Sequence, residues 1–219
     1  MLVELDHRTN TDDDQWVIPE IMHMDMYHVK DQLAALEPDT ASYVIDCGAH
    51  IGAFSAMCAM YLKNAEIISF EPNPDSFKYL DANAAKFKNI QAYNKAVGVT
   101  SGQMEIYAPD QSEWSGRWTS LPNANTSITV DVVGLFDFIH ALNKPVFVLK
   151  MDIEGYEELI FNDAEQHDFK NIQVIIVETH TPAFDHQKLL DYGYQLLFNP
   201  EISSARQFVY SKPRIPLIA

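Results

Sequence analysis

The chain has 219 residues, of which 47% are hydrophobic and 11% aromatic, a composition typical of one folded globular domain with a substantial core. Its 31 acidic and 15 basic residues give a formal net charge of −16, which repels nucleic-acid backbones and anionic membrane surfaces. No segment approaches the roughly 20 apolar residues of a membrane span, and the N-terminus lacks the features of a signal peptide, so we expect a cytoplasmic protein with neither a nucleic-acid nor a membrane partner.

The first 40 residues differ in pattern from the rest of the chain. We expect residues 1–40 to form an N-terminal segment ahead of a single domain that spans residues 41–219. Residues 1–19 are polar and indicate a loosely docked start. The stretch Glu20–Leu36 predicts a helix that covers the domain, and Pro38 ends it because a residue before proline disfavours helical geometry.

Apolar runs and helical periodicities alternate along residues 41–219. The runs are rich in β-branched and aromatic residues and predict buried strands, whereas the stretches between them carry apolar residues at helical spacing. This alternation predicts an α/β fold with a mostly parallel, doubly wound sheet, ended by an antiparallel C-terminal hairpin. The polar stretch 99–129 predicts an insertion into the sheet order. The predicted strands are Tyr43–Ile45, Glu66–Phe70, Ile90–Tyr93, Val146–Lys150 and Val174–Val177, with Tyr194–Phe198 and Arg206–Tyr210 in the hairpin, and the predicted helices are Gly52–Lys63, Asp75–Lys86 and two that begin near Glu157 and His186.

The first predicted strand continues into a glycine-containing loop, residues 48–52, directly after Asp46 and Cys47. Ligands of such sheets bind beyond the carboxyl ends of the strands, and glycines let the backbone turn tightly and approach a ligand. A dinucleotide fingerprint would need glycines at positions 48, 50 and 53, but this chain has His50 and Ala53. We therefore expect a different nucleoside ligand, and we expect Gly48→Val to abolish its binding while leaving a folded protein.

The second predicted strand leads into Glu71, the acid that completes this ligand site. An acid at this place can accept hydrogen bonds from both hydroxyls of a ribose. S-adenosylmethionine has a ribose and an ammonium group but no phosphate, so it fits Glu71 at one end and Asp46 at the other. After the third strand, Asn94 and Ala96 are expected near the adenine.

Two further acidic blocks, DIEGYE from Asp152 and ETH from Glu178, end the predicted strands beyond the insertion. Three interpretations compete. His180 or a carboxylate is the general base that takes a hydroxyl proton, which is the metal-free chemistry we expect. Alternatively, Asp152, Glu154, Glu178 and His180 hold a hard divalent cation. In the third interpretation, Glu154, Glu157 and Glu158 only complement a helix N-terminus, and His180 is a solvated strand end.

Five segments carry a resemblance to a known family. VIDCGAHIG, SFEPNP, NKAVG, LKMDIEGYE and IIVETH, in this order between Tyr43 and His180, resemble the successive blocks of FkbM-type methyltransferases, whose loop more often has Asn where this chain has His50. The resemblance implies a Rossmann-like class I methyltransferase fold, S-adenosylmethionine as cofactor and transfer to oxygen. The predicted cofactor-binding residues are Asp46, Gly48, Ala49, His50, Gly52, Glu71, Pro72, Asn94, Ala96 and Asp152. The predicted catalytic residues are His180, Asp152 and Glu154. No metal is assigned, although Asp152, Glu178 and His180 are the residues that would hold one.

The sequence therefore predicts an O-methyltransferase that moves a methyl group to a hydroxyl of a small molecule or glycan. One alternative is a nicotinamide-dependent enzyme of similar topology, and another is a non-catalytic binding module that keeps the fold. Neither the acceptor nor the oligomeric state follows from the sequence. Cys47 and Cys58 are expected to be two buried, reduced thiols.

Overall fold

The computed structural model describes residues 3–9, 12–22, 30, 33, 41–108, 126–180, 184–198 and 206–213.

The core of the fold is a seven-stranded sheet. Its strands are β1 (Tyr43–Cys47), β2 (Glu66–Phe70), β3 (Ile90–Tyr93), β7 (Val146–Met151), β8 (Ile172–Thr179), β9 (Gln195–Phe198) and β10 (Arg206–Ser211). They are arranged in the order β3-β2-β1-β7-β8-β10-β9. The first five strands of this order pair in parallel, and β10 is antiparallel to both of its neighbours. The predicted mostly parallel sheet with an antiparallel C-terminal hairpin is confirmed.

Helices cover both faces of this sheet. Adjacent strand residues such as Val44 and Ile45, or Val148 and Leu149, belong to opposite hydrophobic clusters, which explains why the strands are almost uninterrupted apolar runs. One cluster joins the sheet to α1 and α2, and the other joins it to α4, α5, α6 and a 3₁₀ helix. The helices are α1 (Asp12–Met22), α2 (Ala53–Tyr61), α3 (Pro74–Ala84), α4 (Leu135–His140), α5 (Glu157–Asp163), α6 (His186–Asp191) and the 3₁₀ helix Gln166–Phe169. No helix in the described part of the chain is both long and apolar enough to cross a bilayer.

A second, three-stranded sheet accounts for part of the predicted insertion. Strands β4 (Ala96–Gly98), β5 (Gly102–Tyr107) and β6 (Ser127–Gly134) form it in the order β4-β6-β5. Strands β5 and β6 make an antiparallel hairpin, while β4 runs parallel to β6. Residues 109–125 of the predicted insertion lie outside the described residues. The sequence analysis did not predict β4, because a three-residue strand is too short to show a periodicity.

The expected loosely docked N-terminus is wrong. Leu5 is buried in the cluster that joins α1 and α2 to the sheet, and the backbone of Asp6 exchanges two hydrogen bonds with the side chain of Asn83, of 2.7 and 2.9 Å. A helix that the sequence analysis did not predict spans Asp12–Met22, with Pro19 inside it, whereas most of the predicted helix Glu20–Leu36 lies outside the described residues. Tertiary contacts therefore fix a segment whose composition alone indicates mobility.

Candidate active site

Four parallel strands end together at one edge of the main sheet. The last residues of β1, β2 and β7 are in register there, with Cys47 opposite both Phe70 and Met151, and β8 continues two residues past Val177, the partner of Met151. The next residues of these segments, including Gly48, therefore meet at a single crevice. All the acidic groups that the sequence analysis predicted for the site lie at or next to these four strand ends.

The glycine loop is tied to the end of β2. The amides of Gly48 and Ala49 both donate to the carbonyl of Phe70, at 3.0 and 2.9 Å, and the amide of His50 donates to Glu71 Oε2 at 2.9 Å. His50 has a φ of 52°, a left-handed conformation that asparagine tolerates better than most residues. Three successive amides are thus used inside the protein, whereas a dinucleotide site would turn loop amides toward a pyrophosphate.

Gly48 is required by the protein itself. Its φ is 75°, and a Cβ atom built there would lie 1.7 Å from the carbonyl oxygen of Asp152. The Gly48→Val variant was expected to fold and to lose only its ligand. We now expect it to lose stability as well, because the valine side chain would overlap the backbone at the end of β7. Gly52 also has a positive φ, and a Cβ atom there would approach the end of the Leu80 side chain to 2.8 Å.

Glu71 is buried at the end of β2 and aimed back at the loop. Its two carboxylate oxygens accept the amides of His50 and Asn73, each at 2.9 Å. Burial raises the pKa of Glu71 to about 7 even though both amides favour the charged form. Each oxygen retains a lone pair for another donor.

The other residues predicted beyond β2 and β3 lie around Glu71. Asn94 is exposed, and its side-chain amide donates to the carbonyls of Glu71 and Pro72 at 2.9 and 3.0 Å. These bonds hold the end of β2 against the segment that follows β3. Ala96 is buried as the first residue of β4, so only its backbone or its methyl group is available to a ligand.

Asp46 and Lys150 form a buried pair between the strands. Lys150 Nζ donates to the carbonyl of Gly48 at 2.7 Å and lies 3.4 Å from Asp46 Oδ1 and 3.5 Å from Asp152 Oδ2. The Ser55 hydroxyl donates to Asp46 Oδ2 at 2.6 Å. Asp46 is completely buried, and its Oδ1 has no hydrogen bond from any described residue. The sequence analysis missed Lys150, although a lysine inside an otherwise apolar strand was a visible signal.

Carboxylates surround His180 at the ends of β7 and β8. Its Nε2 atom lies 3.2 Å from Glu154 Oε2, 3.8 Å from Glu178 Oε1 and 4.0 Å from Asp152 Oδ1. Glu154 has a φ of 56° and Gly155 a φ of 107°, so the DIEGYE turn is built from two consecutive left-handed residues. The predicted catalytic residues His180, Asp152 and Glu154 are thus brought together, and Glu178 lies with them.

Glu157, which the sequence analysis assigned only to a helix N-terminus, orients His180. Its carboxylate accepts the amides of Ile153 and Gly155 at 2.7 and 3.0 Å, and its Oε1 lies 3.1 Å from His180 Nδ1. A carboxylate fixed by two amides accepts only, so Nδ1 carries the hydrogen of this bond. The final acid of the motif therefore closes the turn and sets the direction of the imidazole.

The electrostatics of this cluster are unusual. Burial disfavours a charged imidazole, but the hydrogen bond to Glu157 and the carboxylates of Glu154 and Asp152 outweigh it and raise the pKa of His180 to about 9. Burial and the Asp152 charge raise the pKa of Glu178 to about 7. In the unliganded protein, His180 Nε2 accordingly carries a proton at neutral pH.

The N-terminal segment reaches the glycine loop through a second buried group. Arg8 forms two side-chain bonds to Asp14, of 2.7 and 3.0 Å, and its Nη2 atom lies 2.6 Å from His50 Nε2. Burial opposes ionisation of Asp14, but the bonds from Arg8 hold its pKa below the usual value. Burial lowers the pKa of His50 to about 4, so a neutral imidazole accepts from Arg8.

Both cysteines are buried and free, as predicted. Burial raises the pKa of the Cys47 thiol well above its usual value. Cys47 ends β1 and Cys58 lies in α2, and both pack as small apolar residues.

The strand order, with one antiparallel strand in an otherwise parallel sheet, is that of class I methyltransferases. The precorrin-6y C5,15-methyltransferase of Geobacter metallireducens superimposes with a TM-score of 0.52 at 15% identity, over 96% of this chain and 95% of that one. The magnesium protoporphyrin IX methyltransferase ChlM of Synechocystis, solved with bound S-adenosylmethionine, has a TM-score of 0.52 at 11% identity, over 95% and 86% of the two chains. These similarities establish the fold.

The chain belongs to the FkbM methyltransferase family, since the family model for the methyltransferase FkbM domain matches residues 46–206. Methyltransferase 1 of Beauveria bassiana is 24% identical over 181 residues, which cover 73% of this chain and 72% of that protein. The hexuronic acid methyltransferase AglP of Haloferax volcanii is 23% identical over 137 residues, which cover 62% of this chain and 54% of AglP. The family resemblance in the five sequence blocks is confirmed.

Proposed function

We propose that the protein transfers a methyl group from S-adenosylmethionine to a hydroxyl oxygen of a small molecule or glycan. The observation that carries this proposal is the pair of buried acids at the ends of β1 and β2. Asp46 offers an oxygen without a hydrogen bond from the described residues, and Glu71 offers a carboxylate already aligned by two amides. An ammonium group and two ribose hydroxyls would satisfy these acceptors.

The loop supports this cofactor over a dinucleotide. The amides of Gly48, Ala49 and His50 already have acceptors inside the protein, so they do not form the phosphate cradle that the nicotinamide alternative requires. S-adenosylmethionine has no phosphate to place there. A neighbour of the same fold, ChlM, was solved with this cofactor bound.

When bound, S-adenosylmethionine supplies an electrophilic methyl carbon, to which the acceptor oxygen bonds while the carbon–sulfur bond breaks and leaves its electron pair on sulfur. The chain has to hold the acceptor in line and to accept the hydroxyl proton. Asp152, Glu154 and His180 are the groups we assign to this end of the crevice, and positioning there can supply several kcal/mol. The hydroxyl proton goes to one of the carboxylates, or to His180 Nε2 in molecules in which this atom has lost its own proton.

The choice of acceptor class draws on chemistry and on one relative. The cluster of acids at the ends of β7 and β8 suits hydroxyl groups, which can donate hydrogen bonds to carboxylates. AglP is named as a hexuronic acid methyltransferase, which makes sugar hydroxyls the first acceptors to test. The net charge of −16 argues against RNA or DNA.

The test is methyl transfer from labelled S-adenosylmethionine to a panel of glycosides, hexuronates and phenols, with Glu71→Ala as the matched control. Label should enter an O-methyl group, and calorimetry should show binding of S-adenosylhomocysteine that weakens in the control. Binding of NAD without S-adenosylhomocysteine would support the dehydrogenase alternative. Cofactor binding without transfer to any acceptor would favour the non-catalytic module.

A further inference from the structure

We propose that Asp152, Glu178 and His180 bind a hard divalent cation, Mg²⁺ or Mn²⁺, at the acceptor end of the crevice. Its part in catalysis rests on the methyl transfer proposed above, but the site itself rests on its donor atoms. One atom from each residue lies within 4.8 Å of the others, and His180 Nε2 lies 4.0 Å from Asp152 Oδ1 and 3.8 Å from Glu178 Oε1. Donors about 2.1 Å from one octahedral ion lie roughly 3 to 4 Å apart, so small side-chain shifts would complete the site.

The imidazole is oriented as a metal ligand requires. Its Nδ1 atom donates to Glu157, whose carboxylate is itself fixed by the amides of Ile153 and Gly155. Metal-binding histidines usually donate their second ring nitrogen to such a carboxylate, which fixes the tautomer and strengthens the ligand. The Nε2 atom then faces Asp152 and Glu178, and it is buried without a hydrogen bond from any residue in the described ranges.

Glu178 turns one of its carboxylate oxygens toward the same position. Its side chain is 10% exposed, and its Oε2 atom accepts from Gln207 Nε2 at 2.9 Å. Within the described part of the chain, no donor forms a hydrogen bond with Oε1, the oxygen that faces His180. Oε1 lies 3.8 Å from His180 Nε2, which is buried without a hydrogen bond from the described residues, and a cation between the two atoms would bind both.

The charges around His180 also favour a cation. Carboxylates from three segments face this imidazole, namely Asp152 and Glu154 in the turn after β7, Glu157 in α5 and Glu178 in β8. Lys150 lies 3.5 Å from the other oxygen of Asp152 and is shared with Asp46. Four acids thus surround one imidazole, and a divalent ion would offset two of their charges.

This inference changes the metal-free chemistry that the sequence analysis favoured. Binding of a cation to Nε2 would release the proton of this atom to solvent, so His180 would be a ligand and the hydroxyl proton would go to a carboxylate. Glu154 is the acid nearest to His180 Nε2 among the described residues, with its Oε2 atom 3.2 Å away. The oxygens of the acceptor would complete the coordination of a hard cation, which prefers oxygen ligands.

The test is titration of the full chain with Mn²⁺ alone, followed by electron paramagnetic resonance. We expect one tightly bound ion per chain and at least about tenfold weaker binding in Glu178→Gln, which removes one ligand charge at nearly constant volume. A second group, His140, His167 and Asp168, is exposed and also has metal-ligand spacing, so His140→Ala is the matched control. One ion retained in His140→Ala supports the proposal, and loss of the ion there overturns it.

Folding and the proposed function are checked separately. Affinity for S-adenosylhomocysteine should be unchanged in Glu178→Gln, and if that variant does not fold, the stoichiometry in His140→Ala decides the question. Methyl transfer should stop in a chelator and return with Mg²⁺. Full methyl transfer in the chelator would contradict the proposed cation site but not the proposed methyltransferase function. Binding of Mn²⁺ at the cluster without any cofactor binding would support the cation site and contradict the methyltransferase function.

Discussion

Buried carboxylates are stabilised differently at the two ends of the crevice. Between β1 and β2, the carboxylate of Glu71 is held by two amides and that of Asp46 by a serine and a lysine. Between β7 and β8, four carboxylates converge on one imidazole, His180. At the first end, most hydrogen bonds to the carboxylates come from the protein, and a ligand would have to supply only the remaining donors. The second end has an excess of negative charge. We infer that the first end is built for a fixed cofactor and the second for variable acceptors held through a cation.

The largest effect should come from the residue that joins the two ends. Gly48→Ala would place a Cβ atom on the carbonyl of Asp152 and would strain a left-handed residue, so we expect a loss of about 4 kcal/mol or more in the free energy of unfolding. Urea denaturation would measure it. Gly102→Ala is the control, because a Cβ atom there meets no atom within 4 Å. A Gly48→Ala protein as stable as the control would mean that the two strand ends are not packed as described.

The next effect separates catalysis from cofactor binding. His180→Ala should lower kcat by at least about 100-fold, since it removes a cation ligand or a base from the acceptor end. Affinity for S-adenosylhomocysteine should stay within about threefold, because Asp46 and Glu71, the acids assigned to the ammonium and ribose groups, lie at the other end of the crevice. Steady-state kinetics would measure kcat, and calorimetry would measure the affinity for S-adenosylhomocysteine. His140→Ala should change neither value, and an unchanged kcat in His180→Ala would leave this cluster a structural role only.

The cofactor end should respond to pH through Glu71. Ribose hydroxyls favour the ionised carboxylate, whereas burial raises the pKa of free Glu71 to about 7. Affinity for S-adenosylhomocysteine should therefore fall as the pH drops below about 7 and should level off above it. Glu71→Ala should weaken binding by about 1.5–3 kcal/mol.

Calorimetry across this pH range would test the assignment, with Glu71→Gln as the comparison. The amide cannot ionise, so its affinity should not vary between about pH 6 and 8. A pH dependence that persists in Glu71→Gln would assign the titration to another group. Unchanged affinity in Glu71→Ala would contradict the ribose contact itself.

The smallest effect is expected at the loop position where the family more often carries asparagine. His50→Asn keeps the amide bond to Glu71 and suits the left-handed backbone, but it loses the contact with Arg8. We expect a change of less than about 1 kcal/mol in the free energy of unfolding and cofactor affinity within about threefold. Thermal melts and calorimetry would show it. A large loss of affinity would make the imidazole itself a cofactor ligand.

The sequence predicted the main sheet well because its signals are local. Each parallel strand is a short apolar run that must bury both faces, as Val44 and Ile45 do, and such runs stand out from the helices between them. The positions of Asp46, Glu71 and Asp152 follow from the same rule, since parallel strands end at one edge. The acids of the site could therefore be predicted from the sequence alone.

What the sequence did not predict depends on contacts between distant segments. The polar start of the chain is fixed by Asn83, and Asp14 is buried by pairing with Arg8, neither of which a local pattern shows. Glu157 has the usual place of an acid at a helix start, and only the turn geometry reveals its bond to His180. Lys150 was predicted only as the last residue of a strand, yet it reaches three groups of the crevice: the Gly48 carbonyl, Asp46 and Asp152.

Lys150 would couple ligand binding at the two ends of the crevice. Its ammonium is shared between Asp46 at the cofactor end and Asp152 at the acceptor end, and it also holds the Gly48 carbonyl. A cation drawn to Asp152 competes for that carboxylate and leaves the ammonium to pair more fully with Asp46. Occupancy of one end thus changes the free energy of binding at the other, and such thermodynamic linkage is reciprocal. If both ends bind as proposed, this one buried lysine links the two binding equilibria.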